Sequence, residues 1–366
     1  MLVRGVDTAL IGIILCITPA LGTLSLTTLD SPLYYEQDKN NAVWAEVENL
    51  FELISRHVSL SDCFQGLSSL TRLSTNGRAP SSWLSLPRLE AARFDLFEDP
   101  LATIDYANTM TSHITPGATV STTLTRLVIQ PEFESLYCYE ATHMEGVYGQ
   151  FRSVVSGLPN LTHLFILYRA VVDPYDEFRL PHLPRGSFAH IVSHLKSCSL
   201  TDLTLDVEPA LKDLVRYIAM IEYIHDTTPM TTFAGLPKLR SLNAPQDAFF
   251  SAKYGTFRTC RLPTTIEKIG IMDSTYETKR YLKHLLDRQT EWPNLKTIKL
   301  GESPCNDQSV HPDESDDDAS ESDAGERRKL SEVDDSIYEQ ARSRDLRVEK
   351  VQDRTAWKKG WEGLGL

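Results

Sequence analysis

Apolar residues along this chain follow two rhythms that take turns. The first is a short phrase: an apolar anchor, two residues of any kind, an apolar residue, one residue, and often another apolar one. With proline two residues ahead of the anchor it reads PALGTLSL (Pro19 to Leu26), PRLEAARF (Pro87 to Phe94), PNLTHLFI (Pro159 to Ile166), PKLRSLNA (Pro237 to Ala244) and PNLKTIKL (Pro293 to Leu300). Variants that lack the proline or are shifted are LSSLTRLS (Leu67 to Ser74), TTLTRLVI (Thr122 to Ile129), CSLTDLTL (Cys198 to Leu205) and PTTIEKIGI (Pro263 to Ile271). The anchors are Leu21, Leu70, Leu89, Leu124, Leu161, Leu200, Leu239, Ile266 and Leu295, and from Leu124 onward they are 37, 39, 39, 27 and 29 residues apart. Alternate side chains of a strand face the same way, so the L-x-L pair predicts a short strand with both leucines in the core. The anchor fills that core from the turn leading into the strand. Proline just ahead reads as a strand-starting residue with no ladder bond to give.

The second rhythm is helical. Val43, Val47, Leu50, Phe51 and Ile54 form one apolar stripe; Leu211, Leu214, Val215, Ile218 and Ile221 form another, opened by Pro209. Tyr281, Leu282, Leu285 and Leu286 form a third, ending before Trp292-Pro293. Strand, helix, strand at this pitch predicts parallel strands on one face and helices on the other, a curved α/β solenoid.

In these phrases, from about Thr18 to Gly301, the chain resembles the leucine-rich-repeat superfamily, and most of all the irregular repeat region of fungal F-box proteins. It departs from that pattern in lacking the asparagine after L-x-L and in repeats longer than the usual roughly 20–29 residues. The resemblance implies a ribonuclease-inhibitor-like right-handed solenoid, with parallel strands on the concave face and helices on the convex face. It implies a non-catalytic protein-binding role, as the substrate-recognition part of an F-box-type ubiquitin-ligase adaptor. On the repeat reading of the amino terminus the chain starts mid-solenoid without a polar capping unit, so a region upstream is expected. The resemblance implies an F-box there, of which no segment is seen in the sequence. On such a fold the strand residues flanking the core pair project onto the concave face and form the candidate partner surface: Arg93, Asp95, Arg126, Gln130, His163, Phe165, Asp202, Asp206, Lys268 and Lys299. Phe165 and Tyr168 stand out there as exposed aromatic anchors.

The expected organisation is a solenoid over 1–302, an acidic disordered insert over 303–335 and a terminal helix–strand unit with a tail over 336–366. In the last segment Ile337 to Ala341 reads as helix and Leu346 to Val351 alternates like a strand; Trp357 and Trp361 then either pack over the last repeat or belong to a frayed tail. The amino terminus admits three readings. Thr8 to Leu29 carries only uncharged residues and follows Arg4, as in a signal peptide or a membrane span. Yet Pro19 begins a phrase in step with the later ones, and Ala9 to Ile17, capped by Asp7, reads as its buried helix; this third reading is preferred.

Charge changes the picture in one place. The chain has a formal net charge of -13, but residues 301–335 hold 13 acids against Arg327, Arg328 and Lys329, leaving -3 for the rest. A nearly neutral body argues against nucleic acid as partner, since phosphate binding needs concentrated Lys and Arg. The acidic tract has too few apolar residues to order itself. Within it Ser315, Ser320 and Ser331 each have an acid three residues on, which suits phosphorylation by acidophilic kinases.

Candidate chemistry is sparse. The six cysteines are widely scattered, which reads as reduced thiols in the cytoplasm or nucleus. His190 and His194 are one helical turn apart, but Ile191 stands where H-E-x-x-H places its glutamate, so no metal is assigned. Asn160-Leu161-Thr162 is a glycosylation sequon in form, lying inside a phrase. Phosphate-binding glycine loops and nucleophile elbows are missing from the sequence, and no catalytic residue or cofactor is assigned. Two rivals stand beside the recognition module: a secreted or membrane-attached repeat protein, and a hydrolase-like enzyme on a globular α/β fold.

Overall fold

The computed structural model describes residues 15–26, 64–75, 84, 86–97, 121–134, 155, 157–171, 192, 195, 199–207, 232–251, 257–275, 277–302, 336–352, 354–361 and 364. Contacts divide the chain into two compact units. Unit 1 comprises Met1–Pro184, His190–Thr201 and Lys358–Leu366; unit 2 comprises Arg185–Ala189 and Asp202–Trp357.

In unit 1 five strands pair in parallel, each with the next: β1 (Thr23–Leu26), β2 (Arg72–Thr75), β3 (Ala91–Phe97), β4 (Arg126–Glu134) and β5 (His163–Val171). Unit 2 begins with β6 (Asp202–Val207) and β7 (Ser241–Pro245), followed by a small antiparallel pair, β8 (Phe250–Ser251) and β9 (Arg258–Thr259). It continues with β10 (Lys268–Ser274), β11 (Thr297–Glu302) and β12 (Arg347–Val351), so that β6, β7, β10, β11 and β12 are parallel neighbours in that order. The phrase sets the register. Every strand through β11, apart from the small pair, starts two residues after its anchor, and these first residues align: Thr23, Arg72, Ala91, Arg126 and His163 in unit 1, then Asp202, Ser241, Lys268, Thr297 and Arg347 in unit 2.

The L-x-L residues therefore stack in rows. Leu73, Ala92, Leu127 and Leu164 form one row in unit 1, and Leu203, Leu242, Ile269 and Ile298 form its counterpart in unit 2; all are 0 or 1% exposed. Among the anchors only Leu21 is half-buried, and the others are buried. Each fully buried leucine is worth roughly 1.5–3 kcal/mol in transfer free energy, so these rows are the main source of stability.

The proline has a different job from the one expected. It sits four residues before the strand, as the second residue of a turn in which the anchor amide donates to a carbonyl three residues back: Leu89 to Leu86, Leu161 to Leu158, Leu239 to Leu236 and Leu295 to Trp292. Its fixed φ suits that turn position, where its own N–H would go unused. The residue just before it, Leu86, Leu158, Leu236 or Trp292, is buried and adds a further core position to each repeat.

Between turn and strand runs a second device. The residue after the anchor offers its carbonyl to two amides of the next repeat: Gly22 to Thr71 and Arg72, Glu90 to Thr125 and Arg126, Thr125 to Thr162 and His163. That same residue is threonine in four repeats, and its hydroxyl donates to the preceding carbonyl: Thr71 to Gly22, Thr125 to Glu90, Thr162 to Thr125 and Thr201 to Thr162, at 2.9–3.3 Å. Asn160 and Asn294, within the turns, donate in the same sense to the carbonyls of Thr122 and Thr264.

The third predicted stripe is helix α1 (Thr278–Asp287), with Tyr281, Leu282, Leu285 and Leu286 buried as expected. Its start is held by Gln246, whose Oε1 accepts from the Thr275 amide and from the hydroxyls of Thr275 and Thr278 at 2.6–3.0 Å. The terminal helix–strand unit is also present, as α2 (Ser336–Ser343) followed by β12. Helix α2 ends with Asp345 in the left-handed region, φ 62°, while the Leu346 amide donates to Ala341 and the Asp345 amide to Arg342. That paired bonding is a Schellman closure, which turns Leu346 into the core in place of an anchor. At the amino terminus, 15–17 are helical with Leu15 buried and Ile17 72% exposed, so Ile17 is not part of the expected buried stripe. Among the described residues, no helix is long and apolar enough to cross a membrane. The Val43–Ile54 and Leu211–Ile221 stripes lie outside the described residues.

Candidate functional site

All ten predicted surface residues lie in strands, at positions that alternate along the backbone with those of the leucine rows. In unit 1 the second face, that of these alternate positions, is covered over part of β3–β5. The tail lies on it, bringing Trp361 and Leu364 into one buried cluster with Ala91, Val128, Phe165 and Leu167. The Trp361 ring meets Phe165 edge-on at 5.7 Å and His163 edge-on at 6.5 Å. The Arg126 guanidinium lies 4.9 Å over the same ring. Such ring pairs and a cation over an indole face are each worth about 0.5–1.5 kcal/mol beyond area burial.

The main chain of the tail is held as well. Arg126 Nη2 donates to the Gly360 carbonyl, while Arg93 Nη1 and Ser74 Oγ donate to the Leu364 carbonyl at 3.2 and 3.1 Å. Arg93 is itself fixed by Gln130, whose Oε1 accepts from Nε at 3.0 Å and Nη2 at 2.5 Å. Gln130, on the neighbouring strand β4, is itself buried, 4% exposed. The Trp361 amide donates to Lys358 and the Leu364 amide to Trp361, so the segment is a compact turn rather than an added strand.

Two expectations are corrected here. Phe165 is fully buried under Trp361, so it is no exposed anchor. Trp361 packs on β3–β5 and not over the last repeat, because those strands carry apolar residues on both faces. Arg93, Arg126, Gln130, His163 and Phe165 do come together, around the tail. Asp95 lies in β3 opposite Gln130, and Tyr168 lies in β5.

In unit 2 the second face carries small or polar groups. Asp202 is half-buried and Asp206 buried on β6; Lys268 is exposed and Lys299 half-buried on β10 and β11. Trp357, 6% exposed, lies against Gly270 and Gly301. These glycines leave room for the ring, since a Cβ at Gly301 would sit 2.9 Å from its Cζ2. Asn243 donates to Thr204 Oγ1 on the same face at 3.1 Å.

Cys260 and Tyr281 are core groups. Burial pushes the Cys260 thiol up to about 12 and the neighbouring Tyr281 hydroxyl well above its ordinary value, so both are protonated at neutral pH. His284 is lowered by partial burial and by Arg288. Among the described residues no group of three or more His, Cys, Asp or Glu is placed to hold a metal ion. Ser315, Ser320, Ser331, the acidic tract, His190 and His194 lie outside the described residues.

Sequence reasoning missed the tail contacts and the threonines after the anchors. A signal for the first was present: Leu127-Val128-Ile129 and Leu164-Phe165-Ile166-Leu167 are unbroken apolar runs, which mark strands buried on both faces. No family model matches this chain, and no curated protein matches it in sequence.

Proposed function

We propose that this chain is a leucine-rich-repeat-type solenoid working as a non-catalytic recognition module, whose second strand face binds another protein. The observation that carries this reading is the treatment of the tail in unit 1, where side chains of adjacent strands grip a separate peptide segment by its ring and by its carbonyls. A face able to do that is a peptide-binding face. The parallel strands, one per phrase and in constant register, support the repeat reading, in which this face is the concave one. The resemblance to F-box repeat regions extends the proposal to substrate recognition for a ubiquitin-ligase adaptor in the cytoplasm or nucleus.

A photo-crosslinking residue at Arg72 or Lys268, both exposed on that face, tests it against one at Lys283, exposed on α1. Partner proteins should be captured from cells through the first two positions. Capture through Lys283 alone would refute the assignment of the face. Recovery of a cullin-ligase adaptor with the affinity-purified chain is the result expected of the adaptor role, and its consistent absence would remove that role.

A further inference from the structure

The chain's own tail is a template for what the face of β3–β5 accepts. We propose that this face is a groove for a partner segment of the form glycine, tryptophan, two residues, then an aliphatic residue, and that Gly360, Trp361 and Leu364 occupy it in cis. The inference rests on the recognition-module reading above and adds to it the chemistry of the ligand.

Three features define the ligand. The indole slot is lined by Phe165, His163 and Arg126, and Leu364, three residues on, belongs to the same buried cluster, which also holds Ala91, Val128 and Leu167. The polar grips from Arg126, Arg93 and Ser74 fall on main-chain carbonyls, so any chain of this spacing presents the same acceptors. Gly360 has φ +91°, a conformation that side chains rarely adopt, which places glycine just before the tryptophan.

The cis ligand is also an imperfect one. It leaves Arg126 Nε buried with no hydrogen-bond partner. A buried donor without a partner is costly, so a partner segment that offers an additional acceptor there gains over the tail. Even a short flexible tether gives a local concentration of about 1 mM, and the buried Trp357 anchors the chain just ahead of Gly360 and Trp361. An intermolecular ligand therefore meets a face that is mostly filled, and its apparent affinity falls by the fraction left open.

The test uses the full chain carrying Trp361→Ala and Leu364→Ala, and a fluorescent peptide of residues 354–366, RTAWKKGWEGLGL. Fluorescence anisotropy should show saturable binding to the double variant, and binding at least about tenfold weaker to the unmutated chain, from the cis competition. A peptide with alanine at the second tryptophan should bind neither. Full chain with Gly360→Val, which strains the tail turn and leaves the strands alone, should bind the peptide as the double variant does. Absence of binding to both variants, with circular dichroism and urea midpoints close to those of the unmutated chain, would overturn the proposal, as would equal binding to all three chains. Crosslinking through Arg72 that persists despite such a failure would leave the recognition module standing and remove only this ligand.

Discussion

Trp357 and the two glycines beneath it allow a worked test of how the second face of unit 2 is built. A methyl group at Gly270 would lie 2.5 Å from Cζ3 of Trp357 and would also meet the side-chain oxygen of Asn243. Carbon atoms pack comfortably at about 3.5–4.0 Å, so Gly270→Ala forces the ring to lift or the strand to shift. Overpacking of this kind costs roughly 1–3 kcal/mol. Turning Asn243 away also breaks its bond to Thr204 Oγ1, worth about 1 kcal/mol. The single variant should therefore lose about 3 kcal/mol. Trp357→Ala alone, which empties a nearly buried indole site, should lose about 3 kcal/mol as well. The two losses share one cause. Once the ring is gone, the added methyl meets only Asn243, and Gly270→Ala should cost about 1 kcal/mol in the Trp357→Ala background. The coupling is then about 2 kcal/mol, well outside the scatter of independent sites. Urea unfolding of the four chains, followed by far-ultraviolet circular dichroism, measures it. If Gly270→Ala costs the same with and without Trp357, the ring does not rest on Gly270 and this description of the face is wrong.

Further tests address the turns, the helix end and the titrating core. Thr162→Val removes the hydroxyl bonds to the Thr125 carbonyl and to His163 Nδ1 while leaving that carbonyl its two amide donors, so it should cost about 1–2 kcal/mol in urea unfolding; no loss would show that this hydroxyl contributes nothing. Asp345→Gly relieves a left-handed aspartate at an exposed position and should raise stability by about 0.5 kcal/mol, read as a small rise in Tm; a fall would contradict the Schellman closure. His284 has its ordinary value near 6.5 lowered in the fold, first by burial and then by Arg288. The unfolded chain therefore takes up this proton before the folded one, and stability rises with pH across that interval. Its contribution is complete above about pH 7 and is lost as pH falls below the unfolded value near 6.5. A His284→Asn chain should show a flatter midpoint between pH 7 and 5 than the unmutated chain, and an unchanged slope would assign the pH dependence elsewhere.

What could be read in the residues, and what could not, follows from the range of the interactions. The L-x-L pairs are local: period two decides which side chains are buried, and the constant offset between anchor and strand fixes the register, so β1 to β7, β10 and β11 were legible. Helix α1 was legible for the same reason at period 3.6. The turn ahead of each anchor was misread because proline serves both strand starts and turn interiors, and the buried leucine before it in Leu86, Leu158 and Leu236 was the overlooked arbiter. The tail lay beyond periodicity altogether, since Arg93 and Arg126 meet residues 271 and 234 positions away. Even so, its footprint is written on the strands. A strand with one wet face alternates, yet β4 and β5 do not: Val128, Phe165 and Leu167 are apolar at second-face positions. In β10 and β11 the corresponding positions are Gly270 and Gly301, and glycine inside a strand marks close approach by another group. Broken alternation in one unit and strand glycines in the other both require a covering group. The two tryptophans of the tail are the residues of the right size and apolar character to supply it.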